Sequence, residues 1–215
     1  MKRVFIFLYG ADLSTFLALK PKAEEPIICA DSGIELAMIL PFQPKDVTLI
    51  GDLDSVSKKA LSWCKKNSHL IIQQPQEKDF TDGHLAIAYA CECYGKAIEK
   101  IILGGITQQL DHTLGNILPA VPLINGGHKL IFLKKSQKIY LVNTSLNIKN
   151  CMSHTISLIP LPIAVIKNTK GLQWKTKNET IDSYQSRTLR NKAINDEVEI
   201  TMSSGTLMVV ESWEN

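Results

Sequence analysis

The stretch VTLIGDLDSVSKKALSWCKKN (47–67) carries the fold decision in one reading. Val47–Ile50 is an unbroken apolar run, the pattern of a strand buried on both faces. Asp52 and Asp54 follow Gly51 at once. Ser57 then offers a helix N-cap ahead of a run of good helix formers. Strand, acidic turn and helix in about twenty residues make a βα unit, and its mouth carries two carboxylates.

Working outward, the same unit recurs. VFIFLYG (4–10), PIICA (26–30), HLIIQQ (69–74), KIILGG (100–105) and KLIFLK (129–134) are further short apolar runs. Helical patterns separate them: SGIELAMIL, TDGHLAIAYACECYG ending at Gly95, and DHTLGNILPAVPLI, bounded or kinked by Pro119 and Pro122. This βαβα order predicts a doubly wound, mostly parallel sheet with helices on both faces over residues 1–135. From residue 136 the texture changes. KIYLVN, HTISLIPL, IAVIKNT, GLQWKT, EVEITM and GTLMVVES are strand-like pieces parted by turns, without a convincing helix. They predict a C-terminal all-β, sandwich-like domain over 136–215. It is small enough to need packing against other surfaces.

Bulk properties bound the function. The chain has 215 residues, 45% of them apolar, and a mean hydropathy of +0.01. A net charge of +3, from 24 basic and 21 acidic residues, is too weak a bias for a nucleic-acid or membrane-surface binder. Five cysteines form no metal-type pair, which fits reduced thiols in a cytoplasmic protein. The apolar run at the start is shorter than a signal-peptide core and reads as a first strand. No stretch approaches the roughly 20 apolar residues of a membrane span.

The chemistry sits in carboxylates placed after strands: Asp31 in IICADSG, Asp52 and Asp54, Asp79 and Asp82 in EKDFTD, and Asp111 in QLDHTLGN. In an open parallel sheet that edge binds ligands. Clustered carboxylates repel unless a cation neutralises them. With an extended backbone, Asp52 and Asp54 project the same way, and Asp82 joins them to make a Mg²⁺ platform, with Asp31 as a neighbour. Lys78 supplies a point charge for phosphate. Thr81 caps the next helix or meets the metal, and His112 either touches phosphate or serves structure. Neither GxGxxG nor GxxxxGK[ST] is present, so a nucleotide would rest on this metal–carboxylate edge. Trp174, after a glycine turn, is either a core residue of the β domain or a stacking surface for a flat heteroaromatic ring.

These motifs resemble thiamin pyrophosphokinases along nearly the whole chain. ADSGIELA resembles the family's Asp-Gly-Gly segment, IGDLDSVS its Gly-Asp-Phe-Asp-Ser signature, and EKDFTDGHLAI its Glu-Lys-Asp-Phe-Thr-Asp block. GG…LDHTLGN and KGLQW resemble the Gly-Gly-Arg-x-Asp-His-x-x-x-Asn and Gly-Leu-Lys-Trp/Tyr elements. The GDxDS and KDxTD pair at this spacing is specific. The resemblance implies transfer of the diphosphoryl group of ATP to the hydroxyl of thiamin, in a homodimer with its site between subunits. It implies Mg²⁺–ATP at Asp52, Asp54, Thr81 and Asp82, with Asp31 close by, and Lys78 and Asp79 in the same motif. Asp111 and His112 belong to the ATP side, and Trp174 and Asn191 to thiamin. Two positions depart from the pattern: Gln108 and Gln109 replace a glycine–arginine pair, and Arg190 stands where a serine precedes Asn191. A different hydroxymethyl acceptor and a non-catalytic nucleotide- or thiamin-binding regulator are the alternative readings.

Overall fold

The computed structural model describes residues 3–214. The chain divides into two compact units, Met1–Lys135 and Ser136–Asn215.

The first unit is built on six parallel strands: β1 (Arg3–Phe7), β2 (Ile27–Ala30), β3 (Val47–Gly51), β4 (Leu70–Gln73), β5 (Glu99–Leu103) and β6 (Lys129–Lys134). Their spatial order is β6-β5-β1-β2-β3-β4, every neighbouring pair parallel. β1, β2 and β3 are buried almost throughout, as their unbroken apolarity requires. β4 at the free edge is half-exposed.

The helices are α1 (Leu13–Ala18), α2 (Ile34–Met38), α3 (Lys58–Lys66), α4 (Asp82–Tyr94), α5 (Leu110–Ile117) and α6 (Val121–Asn125). Strand order advances from β1 to β4 and then returns past β1 to β5. Right-handed crossovers therefore put α1–α3 on one face and α4–α6 on the other. The reversal leaves a crevice between the carboxyl ends of β1 and β5, the place where such sheets take ligands.

Helix ends follow the sequence signals. Ser57 caps α3 by accepting from Ala60 N at 3.1 Å, and Thr81 caps α4 from His84 N at 3.2 Å. Gly95 closes α4 with a φ of 65°. Lys100, fully buried, donates to the Gly95 and Ile98 carbonyls and so places a cation at the C-terminal end of that helix. Pro119 falls in a 3₁₀ turn (Leu118–Ala120) and Pro122 in the first turn of α6, so the expected last helix is broken into three pieces. Helix α1 has no counterpart in the sequence reading. It buries one side chain, Phe16, whose ring meets Phe5 and Phe7 edge-on at 4.8 and 4.9 Å. One buried residue leaves no periodicity to read.

The second unit is antiparallel: β7 (Gln137–Val142), β8 (Ser145–Lys149), β9 (Thr155–Lys170), β10 (Lys177–Asp182), β11 (Asn191–Lys192) and β12 (Glu197–Ser212). β12 pairs with β8 through its first half and with β7 through its second, while β9 runs along its other side. Two expected pairs of strands are therefore single sixteen-residue strands. The prolines that suggested a break at 160–162 sit where the ladder shifts, between the Gly205–Ala164 and Leu207–Pro160 partners. A bulge tolerates a residue that cannot donate a ladder hydrogen bond. GLQWKT, expected as a strand, is a turn. Gly171 has a φ of 78° there, and a Cβ on it would run into the Glu197 carbonyl. Among the described residues no helix is long and apolar enough to cross a membrane.

Candidate active site

The carboxyl end of β2 runs straight into a 3₁₀ turn, Asp31–Gly33, and Asp31 itself takes a φ of 42°. That turn sends its carboxylate sideways across β3. Oδ1 accepts from Leu53 N at 3.2 Å. Gly51, the last residue of β3, is required beneath it, because a Cβ at that position would collide with the Asp31 carboxylate. β3 then ends in a tight turn with Leu53 at a φ of 69°, stabilised by Asp54 N donating to Asp52 Oδ1 at 3.1 Å. Asp82 opens α4, next to its Thr81 cap.

Asp31, Asp52 and Asp82 thereby offer carboxylate oxygens that all lie within 4.8 Å of one another. Lys78 reaches into the group, with Nζ 3.2 Å from Asp52 Oδ2 and 3.1 Å from Asp82 Oδ1. The contact to Asp82 is an ion pair without hydrogen-bond geometry, and that buried oxygen has no hydrogen-bond partner. Three carboxylates and one ammonium leave the cluster anionic. Burial, and next the negative charge of Asp82, push the Asp31 pKa from its ordinary 3.8 up to about 7. Asp52 moves the opposite way, lowered first by the Asp54 backbone N–H and then by Lys78. Partial burial works against the Lys78 charge, but the Asp82 and Asp52 carboxylates outweigh it and raise the lysine.

The set of converging residues differs from the expected one in a single member. Asp31 occupies the place assigned to Asp54, which is exposed and lies outside the group. The expectation assumed an extended backbone through residues 52–54. The positive φ at Leu53 breaks that alternation, so the exposed Asp54 side chain stays beside Asp52 but does not join Asp31 and Asp82.

Asp31, Asp82 and Lys78 of the cluster line a cavity of about 810 Å³, within the range of small-ligand pockets, while Asp52 is not among its lining residues. Lys78, Asp79, Thr81, Asp82, Asp111 and His112 all line it, with Asp31. Its floor is the crevice between β1 and β5, at Leu8, Tyr9 and Gly105. A Cβ on Gly104 would strike the Leu8 carbonyl, and one on Gly105 the Leu8 side chain. Asn116 fixes this floor, a role its place at the end of QLDHTLGN does not reveal. Its Nδ2 donates to Gly105 O at 3.0 Å, and its Oδ1 leaves no room for a side chain at Gly83. Thr113 and Thr107 tie the following loop down through Thr107 N to Thr113 Oγ1 at 3.0 Å. Among the residues lining the cavity, Lys78 is the one lysine, and no arginine lines it. Gln108 and Gln109 are not among its lining residues; both are exposed at the start of α5.

In the second unit Trp174 is 60% exposed and Asn191 only 5%. That decides between the two readings of the tryptophan: it is a surface side chain, not a core one. Asn191 is occupied with the backbone of Trp174, accepting from its N at 3.1 Å and donating to its O at 2.7 Å.

The profile of the family described as "Thiamin pyrophosphokinase, catalytic domain" matches residues 19–132, more than half of the chain. The chain belongs to the thiamin pyrophosphokinase family. The matched segment contains every residue named above that lines the cavity from Ala30 to Asn116. Solved structures share the fold along the whole chain. The thiamine pyrophosphokinase of Bacillus subtilis superimposes with a TM-score of 0.82 at 21% identity, covering 99% of this chain and 100% of that one. A thiamin pyrophosphokinase family protein of Enterococcus faecalis gives 0.79 at 21%, covering 99% and 100%. The thiamin pyrophosphokinase of Candida albicans gives 0.79 at 16%, covering 98% and 90%. No curated protein matches the chain by sequence.

Proposed function

We propose that the protein transfers the diphosphoryl group of Mg²⁺–ATP to the hydroxyl oxygen of thiamin, giving thiamin diphosphate and AMP. The observation that carries this reading is the convergence of Asp31, Asp52 and Asp82 around Lys78 at the mouth of a nucleotide-sized cavity. The donor set suits a hard divalent cation: all oxygens, three of them within 4.8 Å, and one buried without a hydrogen bond. Mg²⁺ would be held by Asp31, Asp52 and Asp82, and it would supply charge neutralisation to the phosphates.

In this reaction the thiamin hydroxyl oxygen forms a bond to the β-phosphorus as the bond to the α-phosphate oxygen breaks and AMP leaves. Such displacement depends on in-line positioning and charge stabilisation more than on covalent help. Lys78 presents its ammonium to the phosphate chain. The backbone N–H groups of the first turn of α4, beyond the Thr81 cap, face the same cavity. The hydroxyl proton passes to one of the clustered carboxylates late in the reaction, so no strong base is needed. Asp79 and Asp111 also line the cavity, and surplus negative charge there suits the cationic thiazolium of thiamin. Trp174 serves as a stacking surface for the pyrimidine ring. The proposal includes a homodimer, which sedimentation equilibrium tests.

The acceptor is tested by comparing AMP release from Mg²⁺–ATP in the presence of thiamin, of a hydroxymethyl pterin, or of neither. Release that depends on thiamin alone is expected. Release with the pterin alone would move the enzyme to another acceptor, and thiamin binding without turnover would make it a regulator.

A further inference from the structure

The turn that carries Trp174 is held in an unusual way. Leu172 and Ala193 form an isolated antiparallel bridge, Gln173 N donates to Lys192 O at 2.9 Å, and Ile194 N donates to Gly171 O at 2.8 Å. This pairing stops at Gln173. At Trp174 the partner is a side chain: Asn191 Oδ1 accepts from Trp174 N at 3.1 Å while Nδ2 donates to Trp174 O at 2.7 Å. The same Oδ1 also accepts from Lys192 N at 2.9 Å. One carboxamide thus imitates a neighbouring strand and fixes both polar groups of a single residue.

Asn191 is itself immobilised. It is buried, and Arg190 before it adopts a φ of 54° with its N donating to Ser157 Oγ at 2.9 Å. Thr188 Oγ1 donates to Leu158 O at 2.6 Å one step further back. The indole, by contrast, is exposed, and among the described residues no ring contact involves it. No aromatic neighbour therefore fixes its orientation. The backbone at Trp174 restricts it, because backbone dihedrals limit which side-chain rotamers are open.

We infer that Asn191 is a positioning residue, whose buried carboxamide clamps the Trp174 backbone so that the exposed indole is presented to a flat heteroaromatic substrate in one orientation. This rests on the reading of Trp174 as the thiamin stacking surface. The role needs a donor and an acceptor in one short planar group, which among side chains of this size asparagine provides. Aspartate would keep the acceptor and set a carboxylate against the Trp174 carbonyl. Serine is too short to span both groups. Preorganising a binding group lowers the ordering cost of binding, so loss of the clamp falls on thiamin affinity.

The test uses the full chain with Trp63 and Trp213 replaced by phenylalanine, leaving Trp174 as the single fluorophore of the three tryptophans. Asn191→Asp and, as a milder second variant, Asn191→Ser are compared with this parent. We expect the time-resolved anisotropy of ligand-free Trp174 to decay faster. We expect KM for thiamin to rise about tenfold, with kcat and KM for Mg²⁺–ATP within about twofold. Raised KM with unchanged anisotropy would overturn the clamp in favour of direct contact with substrate. A joint fall in kcat, both affinities and Tm would overturn it in favour of a role in folding alone. Trp174→Ala with unaltered thiamin KM would refute the stacking surface itself, while the anisotropy would still decide whether Asn191 holds the turn.

Discussion

Replacing Asp31 with asparagine should stabilise the metal-free protein at alkaline pH and abolish its activity. The folded protein raises the Asp31 pKa from 3.8 to about 7, through burial first and the charge of Asp82 second. A carboxyl group with a raised folded pKa contributes its relative stability below the unfolded pKa and loses it as pH climbs through the folded one. Below about pH 4 the group is protonated in both states and costs nothing. Above pH 7 it is ionised in both, and the folded state bears the whole repulsion. A shift of about three units would correspond to roughly 4 kcal/mol at 1.36 kcal/mol per unit. Asp31 is only half-buried, so solvent screening reduces this to about 1–2 kcal/mol. For a chain of this length that is a rise in Tm of about 2–8 °C. Asparagine keeps an oxygen to accept from Leu53 N, so the turn survives. The assay is thermal unfolding in EDTA at pH 8 and pH 4.5, for wild type and Asp31→Asn. The gain should appear at pH 8 and shrink toward zero at pH 4.5, and added Mg²⁺ should reverse it by stabilising only the wild type. An equal change at both pH values, or destabilisation at pH 8 in EDTA, would refute the electrostatic reasoning.

Other consequences of the geometry are as direct. Asp52→Asn should weaken Mg²⁺ activation by at least tenfold more than Asp54→Asn, measured as the Mg²⁺ concentration for half-maximal rate; equal effects would return Asp54 to the ligand group. Lys78→Met removes the one lysine among the described residues that line the cavity and should lower kcat/KM for ATP by about 10²-fold or more, with steady-state kinetics as the readout. Gly51→Ala forces a Cβ into the Asp31 carboxylate. It should cost about 1–3 kcal/mol in urea unfolding and disable turnover, whereas the same substitution at exposed Gly95, which also has a positive φ but where a Cβ meets nothing within 4 Å, should cost stability through its backbone alone and leave turnover unchanged.

Much of the α/β unit was legible because buried parallel strands write their burial directly into the sequence. The runs ending at Ala30, Gly51 and Leu103 are apolar without alternation, and each stops where a polar or glycine residue begins the ligand edge. The caps at Ser57 and Thr81 were equally readable, since each is a local hydrogen bond. What was not legible depended on backbone dihedrals or on partners far along the chain. Asp31 joined the cluster through its φ of 42° and the hydrogen bond from Leu53, twenty-two residues away. Asp54, beside Asp52 after the turn at Leu53, is exposed and is not one of the three. In the β unit, prolines 160 and 162 looked like a strand break because a sequence does not display the bulge that β9 forms there against β12. Asn191 could be matched by resemblance, but its clamp on Trp174 appears only when two segments seventeen residues apart are brought together.

The central claim is a diphosphoryl transfer at this carboxylate–lysine cluster. ³¹P NMR of ATP mixed with thiamin, with and without Mg²⁺, follows every phosphorus at once. The account predicts AMP and thiamin diphosphate appearing one to one, only with Mg²⁺ and only with thiamin. ADP, free phosphate, or unchanged ATP under those conditions would contradict it.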